Sequence, residues 1–210
     1  MGIPFIRLSS KIFIFKLIRY REIFGSAEGA REDKESWENF LRHLKERGLS
    51  GVRLIVSDKN LGLVKSIPEF FPEAKWQRCI VHFYRNVFTK ISRTSFREVS
   101  SMLKAIQAQE NKEEALKKAE AASIKLKDMK FHKASEIVSE GISETTNYMN
   151  FPSEHWTRLR TNNPLERIMK EIRRRTRVIG SFPDENSAFM LVTARLRYIA
   201  HTKWGNKKVS

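Results

Sequence analysis

Cysteine is all but missing from this chain of 210 residues: Cys79 stands alone, so no internal disulfide can form, and the usage is what a reducing compartment permits. Apolar runs of membrane length are missing too. The best candidate, Ile12-Phe13-Ile14-Phe15-Lys16-Leu17-Ile18, falls far short of the roughly 20 residues that span a bilayer. Lys16 interrupts it, no small-residue cleavage site follows, and it reads as a buried strand rather than a signal-peptide core. Negative charge is scarce: 24 Asp and Glu face 40 Lys and Arg, for a net +16 at pH 7 and a pI near 10.1. That imbalance selects a polyanionic partner, nucleic acid ahead of a membrane surface, over an acidic small molecule. The expected setting is cytoplasmic and nucleoid-associated, with no membrane partner.

A chain of 24.6 kDa can bury a core without covalent staples. Residues 11–18 and 20–25 read as two strands, punctuated by Gly25. Trp37, Phe40, Leu41 and Leu44 fall at i, i+3, i+4 and i+7, which predicts an amphipathic helix over residues 33–47 closed by Gly48. Residues 52–56 read as a fully buried strand bounded by Ser57-Asp58-Lys59-Asn60. A helix over 61–70, kinked or ended by Pro68, a strand over 75–81 and a helix over 82–91 follow. The order of elements predicts an α/β core.

From about residue 94 to 149 the composition shifts to Lys, Glu and Ala, with no proline and only Gly141, which predicts two to four helices whose charges form solvated faces. Phe151-Pro152 breaks that pattern, and Asn163-Pro164 opens a cationic helix. Residues 151–210 hold 13 Lys and Arg against 5 Asp and Glu, a net of +8, half of the chain's excess. A phosphate-facing surface belongs there.

Two carboxylates stand out. Asp58 follows a buried strand, where open α/β sheets commonly gather ligands, yet an Asx turn or an N-cap for the next helix is an equal use of the same residue. For Glu166, Asn163 as N-cap, Pro164 at the first helical position and Glu166 at the third make a capping box, which competes with metal binding for the same side chain. Cys79 and His82 form a Cys-x-x-His pair, but a structural zinc needs about four ligands and no second cysteine exists. A core thiol and a polar group at a helix start account for the pair. Trp156 reads as core ahead of a base-stacking platform.

The segments Ile55-Val56-Ser57-Asp58-Lys59-Asn60-Leu61-Gly62-Leu63, Phe71-Pro72-Glu73-Ala74-Lys75-Trp76-Gln77-Arg78-Cys79-Ile80-Val81-His82, Thr161-Asn162-Asn163-Pro164-Leu165-Glu166-Arg167 and Arg173-Arg174-Arg175-Thr176-Arg177-Val178-Ile179-Gly180 resemble the mutator-type transposases of bacterial insertion sequences. The resemblance implies a ribonuclease H-like core over residues 20–93, an all-helical insertion over 94–150 and a basic C-terminal helical region over 151–210. It also implies an Asp, Asp, Glu triad holding two Mg²⁺ ions, in which Asp58 matches the second acid and Glu166 the third, while Cys79 and His82 match a family signature. Water would free a 3′ hydroxyl at the element end, and that hydroxyl would attack target DNA. Arg167, Lys170, Arg173, Arg174, Arg175 and Arg177 would hold phosphates of element-end and target DNA. A homo-oligomer, or assembly with an intact transposase, is the expected partner.

The family's first Asp lies on a core strand upstream of Tyr20-Arg21-Glu22-Ile23-Phe24-Gly25, and residues 1–21 contain neither Asp nor Glu. The expectation is an N-terminally truncated copy with residues 1–19 foreign to the family, inactive alone, in which residues 11–18 replace the missing strand. A non-catalytic DNA-binding remnant that interferes with intact transposase is the alternative.

Overall fold

A computed structural model describes residues 5–7, 14–17, 21–26, 33–179 and 184–202. The outer ends of the two N-terminal strand readings, and Gly180, lie outside the described residues. Along the chain run β1 (Phe5–Arg7), β2 (Ile14–Leu17), β3 (Arg21–Gly25), α1 (Lys34–Glu46), β4 (Leu54–Ser57), α2 (Leu61–Phe70) and β5 (Lys75–Arg78). There follow α3 (Ile80–Phe88), α4 (Phe96–Gln107), α5 (Lys112–Asp128), α6 (His132–Gly141), α7 (Trp156–Leu159), α8 (Asn163–Thr176) and α9 (Glu185–Ala200). The structure is mostly helical, with a small parallel strand pair, and is of α/β type. It divides into two units, Met1–Lys75 with Asn162–Ser210, and Trp76–Thr161.

In the first unit, β2 and β3 form an antiparallel hairpin with Phe15 opposite Ile23 and Leu17 opposite Arg21. β1 lies parallel to β4, with Phe5 opposite Leu54 and Arg7 opposite Val56. Residues 5–7 thus pair with β4, while the run read at 11–18, which was expected to replace the missing core strand, contributes residues 14–17 to the hairpin. Three residues are too few to show an alternating or continuous apolar pattern, whereas the longer run at 14–17 is used by the hairpin.

Helix α1 forms where its apolar stripe requires it. Asp33 Oδ1 accepts the Ser36 N–H at 2.9 Å as N-cap, Trp37, Phe40, Leu41 and Leu44 are all buried, and Gly48 turns the chain away at φ 88°. β4 is buried along its whole length. Asn60 Oδ1 then accepts the Leu63 N–H at 3.0 Å and caps α2, and Pro68 is carried inside the last turn, with the helix ending at Phe70. The two helices pack closely enough that a Cβ on Gly62 would stand 3.0 Å from the Asp33 carbonyl carbon and from the Lys34 nitrogen. In the same unit, Leu165, Ile168 and Ile172 of α8 meet Leu196 and Ile199 of α9, with Ile23 of β3 packed against them.

The second unit is helical around Phe83, Val87, Val99, Leu103, Ile106, Leu126, Val138 and Tyr148, all fully buried. A buried polar network ties it together. Gln77 Nε2 donates to the Thr145 carbonyl at 2.8 Å, Gln77 Oε1 accepts the Tyr148 N–H at 2.9 Å, and the Tyr148 hydroxyl donates to Gln107 Oε1 at 2.9 Å. Burial pushes the Tyr148 phenol up to about 12, which keeps it a neutral donor. The charges of α5 are spent on surface pairs such as Lys117 with Glu113 and Glu114, both at 3.0 Å, as expected of a solvated face.

Gly62→Ala is expected to destabilise the protein by about 1–2 kcal/mol, because overpacking against backbone costs more than the roughly 1 kcal/mol that alanine gains in a helix. Urea denaturation measures it, and an unchanged or higher midpoint would show that the start of α1 yields.

Candidate active site and nucleic-acid surface

Asp58 is the first residue after β4, half-buried, with Oδ1 shielded from solvent. The bend that follows is built on its backbone: Ser57 Oγ donates to the Asp58 carbonyl at 2.8 Å, and the Asn60 N–H donates to it at 2.9 Å. Asn60, not Asp58, caps α2. One structural role that the sequence left open for Asp58 is thus filled by a neighbour.

Glu166 lies half-buried in the first turn of α8. The Asn162 carbonyl accepts the N–H of Glu166 at 3.1 Å, so Asn162 rather than Asn163 is the N-cap. Pro164 then stands second in the helix and Glu166 fourth. A capping box needs the acid at the third position, so that reading is corrected: the register is off by one residue. A carboxylate in the first helical turn remains favourable to the helix dipole. Asp58 and Glu166, far apart in sequence, both belong to the first unit, and the chain of the second unit runs between them.

Cys79 and His82 belong to the second unit. β5 ends at Arg78, short of the strand end read from sequence, and Cys79 is the fully buried N-cap of α3, with His82 half-buried in the first turn. A ring nitrogen of His82 and the Cys79 Sγ lie within 4.8 Å of each other. Trp156 is an anchor rather than a platform: Nε1 donates to the Phe151 carbonyl at 2.7 Å and its ring meets Tyr148 edge-on at 5.5 Å.

Helix α8 is divided lengthwise. Leu165, Ile168 and Ile172 face inward, while Arg167, Lys170, Arg173, Arg174 and Arg175, followed by Arg177, are exposed. An apolar stripe in a core of its own holds a cationic ridge in solvent.

Residues 18–206 match the family described as "Transposase, Mutator family". The chain belongs to that family of transposases. It is 38% identical over 185 residues to the transposase for insertion sequence element ISRM5 of Rhizobium meliloti, covering 88% of this chain and 46% of that relative. It is 36% identical over 185 residues to the transposase for IS1081 of Mycobacterium tuberculosis, covering 88% and 44%. It is 36% identical over 189 residues to the transposase for IS256 in transposon Tn4001 of Staphylococcus aureus, covering 88% and 47%. The chain thus spans about half the length of the curated relatives it matches. Among the described residues of this Mutator-family chain, no helix is long and apolar enough to cross a membrane.

Reasoning from sequence missed Glu171 and Arg195. Glu171 accepts hydrogen bonds from Arg174 at 3.0 and 3.1 Å, from Arg175 at 3.2 Å and from Arg195 at 3.0 Å. The i+3 and i+4 spacing of the first two was readable on a helix; Arg195, on α9, was not. These guanidiniums, Arg174 foremost, hold the Glu171 carboxyl down to about 2 from an ordinary 4.5. A carboxyl depressed on folding adds stability that is complete above its unfolded value and is lost as the pH falls through its folded value. The thermal midpoint of the parent should therefore exceed that of Glu171→Gln at neutral pH, with the gap closing between pH 4.5 and about 2. A gap that is independent of pH would deny Glu171 this role.

Proposed function

We propose that this chain acts in DNA transposition through a ribonuclease H-like core, with Asp58 and Glu166 as two of the carboxylates that hold magnesium at the reacting phosphate. The observation that carries the reading is the placement of Asp58 at the carboxyl end of a buried strand with a parallel neighbour, the position where open α/β sheets gather ligands. Support also comes from Glu166, which lies in the same unit and off the capping-box register. The antiparallel β2–β3 hairpin and the parallel β1–β4 pair belong to two separate sheets, and a parallel pair next to helices is compatible with such an α/β core.

The donor set fits the metal. Carboxylate oxygens are hard ligands, and Mg²⁺ is typically held by one or two carboxylates together with substrate phosphate oxygens. Bound there, the ions would supply electrostatic stabilisation of the attacking and leaving oxygens in an in-line displacement. Asp58 and Glu166 would orient those ions, and Arg167, Lys170, Arg173, Arg174, Arg175 and Arg177 would bind DNA phosphates and set register without reading bases.

A second reading, a DNA-binding chain that does not cut and that joins or interferes with an intact transposase, is favoured by one observation. The strand parallel to β4 consists of Phe5, Ile6 and Arg7, none of them acidic. On that ground we propose that the chain alone holds DNA but lacks the first acid of the site.

Purified protein should bind duplex DNA with a steep salt dependence, losing on the order of 10³-fold in affinity between about 50 and 200 mM salt, and should leave that DNA uncut in Mg²⁺. A Mg²⁺-dependent nick that disappears in Asp58→Ala would show a complete site instead. Arg173→Gln should weaken binding about equally across sequences and lower the log–log salt slope by about 1; a slope that does not move would remove α8 from the DNA surface.

A further inference from the structure

Three guanidiniums from two helices converge on one carboxylate in the first unit. Glu171 Oε1 accepts from Arg174 Nη2 at 3.1 Å, Arg175 Nε at 3.2 Å and Arg195 Nη2 at 3.0 Å, while Oε2 accepts from Arg174 Nε at 3.0 Å. Arg195 is held from the other side as well, with its guanidinium 4.5 Å from the centre of the Tyr198 ring. Several N–H groups aimed at one oxygen is also how arginine grips a phosphate oxygen. The cluster is open to solvent: the side chains of Arg174 and Arg175 are 63% and 53% exposed, and those of Glu171 and Arg195 are 32% and 25% exposed. Around it, Lys170, Arg173 and Arg177 are exposed cations.

We infer that Glu171 is an internal counter-anion that sets how tightly this surface grips DNA. Its carboxylate keeps Arg174, Arg175 and Arg195 on a partner within the protein, so a DNA phosphate docking there must share or displace it. The inference rests on the proposed role of α8 in holding DNA, and deepens it: Arg195 of α9 joins the phosphate-facing set, and an acidic residue becomes the one that tunes affinity. The physical consequence is a smaller release of counterions per binding event than the run of arginines implies, since arginines already neutralised contribute less to the salt slope. A weaker sequence-independent hold favours sliding and hopping along DNA over capture at arbitrary sites.

The test is duplex binding by the full chain, followed by fluorescence anisotropy over a salt series with DNA of unrelated sequence. Glu171→Gln should bind on the order of tenfold tighter at about 0.1 M salt and steepen the log–log slope by about one to two units, and adding Arg195→Gln should take back about one unit. A merely structural tie between α8 and α9 predicts a lower thermal midpoint with the slope unchanged, and that result, or a shallower slope, overturns the inference. Should Glu171→Gln not fold, Arg195→Gln alone decides: its loss of slope should be smaller than that of Arg173→Gln, and an equal loss overturns the inference. If the parent chain shows no salt-dependent binding, the DNA-holding role of α8 fails with it. If the parent binds and Arg173→Gln lowers the slope while Glu171→Gln leaves it unmoved, only the role of Glu171 fails.

Discussion

A strand sealed from solvent cannot carry a charge, and that constraint decides where Asp58 stands. Leu54, Ile55 and Val56 expose no surface at all and Ser57 only 2%, and an unpaired carboxylate at any of these positions would cost several kcal/mol in lost hydration. The first charged residue the chain can accept is the one just beyond, where the bend opens toward solvent. The position of the acid is thus a by-product of the core. The helices on either side obey the same rule, with α1 turning Trp37, Phe40, Leu41 and Leu44 inward and Gly62 allowing the start of α2 to lie against the start of α1.

Helix α8 shows the complementary problem. Its buried stripe of Leu165, Ile168 and Ile172 is anchored against α9, and anchoring that stripe forces the cationic residues together on the opposite side. Crowded like charges repel and tend to loosen a compact state. Glu171 offsets this by bringing one carboxylate to three guanidiniums, and in doing so it fastens α8 to α9 through Arg195. Stability of the helix pair and attraction for polyanions pull in opposite directions at this residue.

Much of the arrangement was legible in the sequence, for reasons that can be named. The helix over residues 33–47, the buried strand ending near Asp58, the helix over 61–70 and the helix opened by Asn163-Pro164 all rest on local signals, namely apolar spacing, caps and proline. What was not legible depends on partners distant in sequence or on very short elements. A strand of three residues at Phe5–Arg7 has no period to detect. Asn162 and Asn163 are equally good caps by type, and only the hydrogen bond from the Glu166 N–H to the Asn162 carbonyl separates them. Arg195 reaches Glu171 across 24 residues of chain, so a carboxylate that meets three guanidiniums looked, in sequence, like one acid in a basic run.

On the proposed reading, the strand beside β4 is where stability and chemistry part. Phe5 and Ile6 stand in register with Leu54 and Ile55. A carboxylate on such a strand, close to Asp58, is tolerated only where cations offset it, because like charges a few ångströms apart disfavour each other. A strand without an acid, such as Phe5-Ile6-Arg7, needs no such compensation and keeps the parallel pairing. The cationic surface of α8 and α9 has its own core, built on Leu165, Ile168, Ile172, Leu196 and Ile199. The packing that holds the cationic ridge of α8 is therefore built from residues other than those of the buried strand that ends at Asp58.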